Sequence, residues 1–130
     1  MMAENAKILL IDDDEDFQEA VRMILEPEGY AVTCRSTGPS GLEAARATVP
    51  DLILLDIMLS SPSEGFHLAY EFKKDDVLRE VPVIMISSIG ETMGMDYSKE
   101  LGTDYVQADK WLDKPIDAAV LRQAVKELLG

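Results

Sequence analysis

Five polar side chains with complementary chemistry stand at or just after the ends of short apolar runs. They are Asp12 and Asp13 after KILLI (7–11), Asp56 ending DLILLD (51–56), Ser87 ending VPVIMIS (81–87) and Lys114 after KWLD (110–113). Clustered carboxylates are the hard oxygen ligands that Mg²⁺ prefers. Beside such an ion another carboxylate can attack phosphorus and carry a phosphoryl group as an acyl phosphate. A lysine and a hydroxyl can then compensate the charge of the phosphoryl oxygens.

The acidic run at 12–16 is a physical puzzle, because it follows the apolar run at 7–11 directly. Two carboxylates about 4–5 Å apart repel each other by roughly 3–4 kcal/mol at an effective dielectric constant near 20. A divalent cation at Asp12 and Asp13 would relieve that repulsion. Asp14, Glu15 and Asp16 are instead predicted to form the solvated start of a helix, where acids interact favourably with the helix dipole.

The elements that must position these side chains alternate along the whole chain. The predicted strands are 7–11, 30–34, 51–56, 81–87 and 110–113. Three of these runs are continuously apolar, as in strands that are covered on both faces. Helical patterns separate the strands, which predicts a parallel sheet with helices on both faces. In such a sheet ligands bind beyond the carboxyl ends of the strands, so the five polar side chains would meet at one rim.

The helices are predicted from apolar spacing. The first presents Phe17, Ala20, Val21, Ile24 and Leu25 on one face and is closed by Pro27 and Gly29. The second spans 39–48 with Leu42 and Ala45 inward, the third spans 65–75 and uses Phe66, Ala69, Tyr70 and Phe72, and another lies around 94–101. The last runs from Asp117, a predicted N-cap, to Leu129, with Leu121, Val125 and Leu128 on one side.

The motifs ILLIDDDED, PDLILLDIML, VPVIMISS and KWLDKP occur in this order with a helical segment between consecutive strands. The chain thereby resembles the receiver domain of bacterial two-component response regulators along essentially its whole length. The resemblance implies a flavodoxin-like, doubly wound α/β fold with a five-stranded parallel sheet in the order 2-1-3-4-5. It also implies a phosphorylation-dependent switch that acts through protein–protein interaction and is not an enzyme beyond slow self-dephosphorylation.

The resemblance also implies a role for each matching position. Asp56 would accept the phosphoryl group from a sensor histidine kinase, a phosphotransfer protein or a small phosphodonor. Asp13 would bind Mg²⁺ directly, Asp12 mainly through water, and Asp56 and the backbone carbonyl of Met58 would complete the protein ligands. Lys114 would hold a phosphoryl oxygen, Ser87 would close onto the phosphoryl group, and Trp111 would be the aromatic residue that moves with Ser87. Simple packing of Trp111 at the edge of the core is an equal alternative.

Three features depart from the family pattern. Trp111 stands where the family usually has Tyr or Phe, which puts the usual aromatic movement in doubt. The segment MLSSPSEGF lacks the familiar Met-Pro turn and is longer than usual. Between Ser87 and Lys114 lie 26 residues, more than is typical, which predicts a non-standard partner surface.

Composition limits the other possibilities. The chain has 130 residues, 25 acidic and 12 basic, with a net charge of −13, so it would be repelled by nucleic acids and anionic membrane surfaces. The single cysteine, Cys34, excludes an internal disulfide and is predicted to be a small buried residue. The N-terminus lacks the apolar core of a signal peptide, which favours a cytoplasmic protein. We therefore expect one receiver domain over 1–130 without an output domain, as a monomer or a phosphorylation-dependent dimer.

Two other functions compete with this interpretation. A haloacid-dehalogenase-like phosphohydrolase would use Asp12 as nucleophile and Asp14 as acid/base, with Ser87 and Lys114 in support. However, Asp16 stands where that family prefers Thr or Val, and Asp56 would have no role. A pseudo-receiver, a docking module of the same fold that is never phosphorylated, is the other alternative.

Overall fold

A computed structural model describes residues 6–56, 64–88 and 108–129, without the side chains of 64–66 and 88. Strands and α-helices alternate within these ranges. They are β1 (Lys7–Ile11), α1 (Glu15–Leu25), β2 (Ala31–Arg35), α2 (Gly38–Ala47), β3 (Leu52–Asp56), α3 (Glu64–Lys74), β4 (Val83–Ser88), β5 (Lys110–Lys114) and α4 (Ala118–Leu129). The predicted helix around 94–101 lies outside the described residues.

The five strands form one parallel sheet in the order β2-β1-β3-β4-β5. This confirms the predicted strand order and fold class. β3 lies at the centre and all five of its residues are buried, which explains why its sequence is continuously apolar before Asp56. The register pairs Ile11 with Leu55 and Asp56 with Ile86, so the ends of neighbouring strands lie within two residues of one another.

Alternate residues of each strand pack on opposite faces of the sheet. On one face, Leu10, Leu54 and Ile86 belong to a core cluster with side chains from α1 and α4. On the other face, Leu55 and Met85 belong to a second cluster with side chains from α2 and α3. Full burial of each such side chain contributes about 1.5–3 kcal/mol, so the two clusters hold the sheet firmly between the helices.

Side-chain caps begin three of the helices where the sequence predicts a start. Asp14 accepts the backbone N–H groups of Asp16 and Phe17 at α1, and Asp117 accepts those of Ala119 and Val120 at α4. At α2 the side chains of Thr37 and Ser40 form a reciprocal capping box. None of the helices in the described ranges is long and apolar enough to cross a membrane.

The inward face of α3 differs from the prediction at one position. Ala69 and Phe72 are fully buried as expected, but Tyr70 is 38% exposed and Leu68 is buried in its place. Positions 68, 69 and 72 share one side of a helix, whereas position 70 is turned about 200° from position 68. The prediction that Tyr70 faces inward was therefore wrong. Its ring is apolar, but the helical repeat of 100° per residue places it on the outer side of α3.

Helix α2 approaches β1 so closely at Gly41 that it leaves no space for a side chain. A Cβ atom at this position would lie 2.7 Å from Cγ1 of Ile11. Alanine normally favours a helix interior over glycine by up to about 1 kcal/mol. We expect the clash to outweigh that gain, so that Gly41→Ala lowers the free energy of unfolding by about 1–3 kcal/mol in urea denaturation.

The control is Gly41→Ala combined with Ile11→Val, which shortens the side chain that the new methyl group would meet. The atom of Ile11 nearest to that Cβ position is Cδ1, and Ile11→Val removes it. The double variant should therefore lose less stability than the sum of the two single variants. A Gly41→Ala variant as stable as the parent protein would contradict the close packing of α2 on β1.

Candidate functional site

The sheet brings three charged side chains to one rim. Asp12 follows β1, where its N–H donates to the carbonyl of Arg35, while Asp56 and Lys114 are the last residues of β3 and β5. Each lies two residues after a leucine that packs on the α1–α4 face; these leucines are Leu10, Leu54 and Leu112. Because strand side chains alternate, Asp12, Asp56 and Lys114 are directed to the same side of the sheet.

Lys114 lies between two carboxylates. Its Nζ atom is 3.0 Å from Oδ2 of Asp12 and 3.8 Å from Oδ2 of Asp56. Asp13 joins the same cluster, since one carboxylate oxygen from each of Asp12, Asp13 and Asp56 lies within 4.8 Å of the others. The structure therefore places four of the predicted site residues together.

The burial of these groups makes their electrostatics strong. Asp12 is fully buried and Asp56 is 4% exposed, whereas Asp13 is exposed. Burial raises the pKa of Asp12, although the N–H of Asp14 and the Lys114 ammonium oppose the rise. Burial also disfavours the charged form of Lys114, but Asp12 and Asp56 outweigh it and raise the pKa of Lys114. Lys114 is consequently a cation at neutral pH.

The donor set fits a small divalent cation. Oδ2 of Asp12 is buried and receives no hydrogen bond, so its compensating charge within the described ranges is the Lys114 ammonium. Two oxygens bound to one Mg²⁺ are at most about 4.2 Å apart, slightly less than the 4.8 Å spread of the cluster. A small side-chain movement, or a water between the ion and one carboxylate, would close that difference. Met58, the predicted carbonyl ligand, lies outside the described residues.

Phe17 is a contact of the site that the sequence analysis missed. The Lys114 Nζ atom lies 4.4 Å from the centroid of the Phe17 ring, within the range of a cation–π interaction. The sequence identified Phe17 only as a residue of the apolar face of α1, where it is also buried. Helix α1 therefore contributes an aromatic support for the lysine as well as core packing.

The remaining acids of the 12–16 run belong to the start of α1, as predicted. Asp14 uses its carboxylate as the N-cap, and Glu15 and Asp16 lie in the first turn. Oδ1 of Asp14 thus accepts two backbone N–H groups, which ties this side chain to the start of α1.

Ser87 and Trp111 lie on the other face of the sheet. Ser87 follows Met85 of the α2–α3 core cluster by two residues, is 4% exposed, and donates a hydrogen bond to Oδ1 of Asp113 at 3.3 Å. Trp111 is paired in register with Met85, is 39% exposed, and borders a groove of about 550 Å³ that lies between the edge strand β5 and α4. The movement of Trp111 with Ser87 stays a prediction.

Cys34 is half-buried rather than fully buried. Burial raises the pKa of its thiol, although Arg22 opposes the rise. A thiol with a raised pKa is less often ionised, which fits a packing residue better than a reactive one.

Several curated proteins have sequences similar to this chain. The Streptomyces avermitilis transcriptional regulatory protein CseB is 37% identical over 128 residues, which cover 98% of this chain and 51% of CseB. The DNA-binding dual master transcriptional regulator RpaA of Synechocystis is 32% identical, with 95% of this chain and 48% of RpaA covered. The chain therefore spans about half the length of these relatives.

Solved structures share the fold. The receiver domain of NtrX from Brucella abortus superposes with a TM-score of 0.77 at 31% identity, covering 94% of this chain and 97% of that one. The receiver domain of the Pseudomonas aeruginosa sensor histidine kinase PA1611, solved with a magnesium ion in its active-site cleft, gives a TM-score of 0.81 at 24% identity and covers 97% of this chain and 98% of that one.

A family model for the response regulator receiver domain matches residues 8–126, which include the acidic pair, Asp56, Ser87 and Lys114. The strand order, the charged rim and this match agree with one another. The chain belongs to the response regulator receiver domain family of two-component signalling.

Proposed function

We propose that Asp56 accepts a phosphoryl group from the phosphohistidine of a sensor histidine kinase or phosphotransfer protein, with Mg²⁺ as cofactor. The resulting aspartyl phosphate would change how the chain binds a partner protein. The observation that carries this proposal is the placement of Lys114 between Asp12 and Asp56, with three carboxylates within 4.8 Å of one another.

The transfer is a displacement at phosphorus. An Oδ atom of Asp56 forms the new P–O bond as the P–N bond of the phosphohistidine breaks. The electron pair of that bond stays on the histidine nitrogen, which takes up a proton from solvent. A bound Mg²⁺ would supply charge neutralisation for the phosphoryl oxygens and the carboxylates.

Lys114 is well placed to stabilise the aspartyl phosphate that this transfer would form. The phosphoryl group brings a charge of about −1.5 to −2 and three acceptor oxygens to Asp56. The Lys114 ammonium is already 3.8 Å from Asp56 and is held by Asp12 and the Phe17 ring, so it can reach a phosphoryl oxygen with little movement. Such preorganised charge is an efficient form of electrostatic stabilisation.

Asp56 suits the acceptor role better than Asp12. Oδ1 of Asp12 accepts the N–H of Asp14 at 2.8 Å, and its Oδ2 faces Lys114 at 3.0 Å. Oδ1 of Asp12 therefore holds the turn after β1, and its Oδ2 balances the Lys114 ammonium. Asp56 ends the central strand, its Oδ2 atom lies 3.8 Å from the ammonium, and it stands in the motif PDLILLDIML that resembles the acceptor motif of the family.

The consequence of phosphorylation is proposed to be protein binding rather than nucleic-acid binding by this chain. Its net charge of −13 would repel a phosphate backbone. RpaA is named as a DNA-binding regulator and is about twice as long as this chain, so its DNA binding is not assigned to the part that this chain matches. A kinase, a downstream protein or a second phosphorylated copy are the partners we propose.

The direct test is to treat the protein with acetyl phosphate, with Mg²⁺ or with the metal chelated, and to map the modified peptide by mass spectrometry. We expect one acid-stable, base-labile phosphoryl group on Asp56 with Mg²⁺ and little without it. Modification of Asp12, or none under either condition, would contradict the proposal.

A further inference from the structure

Asp113 is an acidic residue at the rim that has no part in the metal binding, phosphorylation or lysine contacts proposed above. It precedes Lys114 in β5 and is paired in register with Ser87 of β4. Its Oδ1 atom accepts the hydrogen bond of the Ser87 hydroxyl at 3.3 Å. The side chain of Asp113 is exposed, whereas Ser87 is buried.

A serine hydroxyl has one hydrogen to donate, so Ser87 can donate to only one acceptor at a time. Donation to a phosphoryl oxygen on Asp56 therefore requires that the hydrogen bond to Asp113 be broken. A hydrogen bond from a hydroxyl to a carboxylate is usually about 2.5–2.7 Å long, so the 3.3 Å bond is a loose one. Because Asp113 is exposed, water can replace the hydroxyl as its partner once Ser87 has left.

We propose that Asp113 is a positioning residue that holds the Ser87 hydroxyl in the unphosphorylated state and so opposes the phosphorylated one. The proposal rests on the proposed function of Asp56. Asp113 and Lys114 are consecutive residues with opposite effects. Lys114 attracts the phosphoryl group on one face of the sheet, while Asp113 retains on the other face the hydroxyl that would join it.

The test uses beryllofluoride, a non-covalent phosphoryl mimic, with saturating Mg²⁺ and isothermal titration calorimetry. Asp113→Ala removes the acceptor, and we expect it to tighten beryllofluoride binding by about 3- to 10-fold, the range for one net hydrogen bond. Asp113→Asn keeps an amide oxygen as acceptor and should tighten binding less. Asp76→Asn, at an exposed acid outside the site, is the matched control for loss of one negative charge and should change the affinity by less than about 2-fold.

The same substitutions in a Ser87→Ala background separate positioning from simple charge. If Asp113 acts through Ser87, the gain from Asp113→Ala should disappear there. An equal gain in both backgrounds, or no gain when Ser87 is present, would overturn the proposal.

A second measurement distinguishes failure of the Asp113 proposal from failure of the proposed phosphorylation of Asp56. A parent protein that binds no beryllofluoride contradicts phosphorylation of Asp56. In that case the ¹³Cβ resonance of Ser87 still reports the hydrogen bond. It should move in Asp113→Ala and not in Asp76→Asn, and an unmoved resonance would refute the contact between Ser87 and Asp113.

Discussion

Asp56→Asn should abolish incorporation of a phosphoryl group from acetyl phosphate in the presence of Mg²⁺. The amide is nearly the same size as the carboxylate but is not a competent nucleophile, so the site keeps its shape and loses its acceptor. The incorporated label is measured by intact mass and by its release in base. We expect the variant to fold at least as stably as the parent protein, because it removes one of three carboxylates that lie within 4.8 Å of one another.

The comparison variants are Asp12→Asn and Asp76→Asn. Asp76→Asn removes a distant exposed acid and should leave labelling unchanged. Asp12→Asn should weaken labelling through the metal site while leaving Asp56 as the labelled residue. Label that persists in Asp56→Asn and is lost in Asp12→Asn would favour the phosphohydrolase alternative instead.

Lys114→Met should reduce both phosphorylation and stability. Methionine keeps an apolar stem beside Phe17 but removes the ammonium that compensates Asp12 and Asp56. Loss of a preorganised charge of this kind typically costs about 10²–10³-fold in rate. Because the variant leaves buried carboxylates without their cation, we expect the free energy of unfolding to fall by about 3 kcal/mol.

The loss of stability in Lys114→Met should depend on pH, and the pKa of Asp12 gives the direction. Burial raises the folded-state pKa of Asp12 above its usual value, and removal of Lys114 would raise it further. An acid whose pKa is raised by folding destabilises the folded state when it is ionised, and that cost is relieved as the pH falls through the raised pKa. The stability deficit of Lys114→Met, measured by urea denaturation, should therefore shrink from pH 7 towards pH 5.

Lys114→Arg is the matched control for this variant. It keeps the positive charge and should retain most of the stability, although the wider guanidinium is expected to slow phosphorylation. A Lys114→Met variant as stable as the parent protein at pH 7 would show that the ammonium does not compensate the buried acids.

The sequence predicted the framework well because its physical signals are strong. β3 and β4 are covered on both faces, so their residues form continuous apolar runs, and the predicted ends of all five strands lie within two residues of the observed ones. The rule that parallel strands end at one rim then predicted that Asp12, Asp56 and Lys114 lie close together. Their functional roles stay predictions.

The contacts that the sequence did not predict depend on side-chain direction. Phe17 is an ordinary core residue by its spacing, and only the folded helix shows its ring under Lys114. Asp113 lies in β5, whose sequence KWLDK contains three charged residues. Its contact with Ser87 follows from the β4–β5 register rather than from any motif. Neither the pairing of two distant strands residue by residue nor the rotamer of a lysine can be inferred from local patterns.

The pairing of the strands residue by residue has a consequence for how such a domain can diversify. Asp12, Asp56 and Lys114 are fixed by β1, β3 and β5, which are aligned through the buried sheet rather than through the segments that connect them. A related chain can therefore lengthen or shorten a connection without displacing the charged atoms. Selection could therefore alter the connecting segments, and any partner surface that they form, without moving the three charged side chains of the rim.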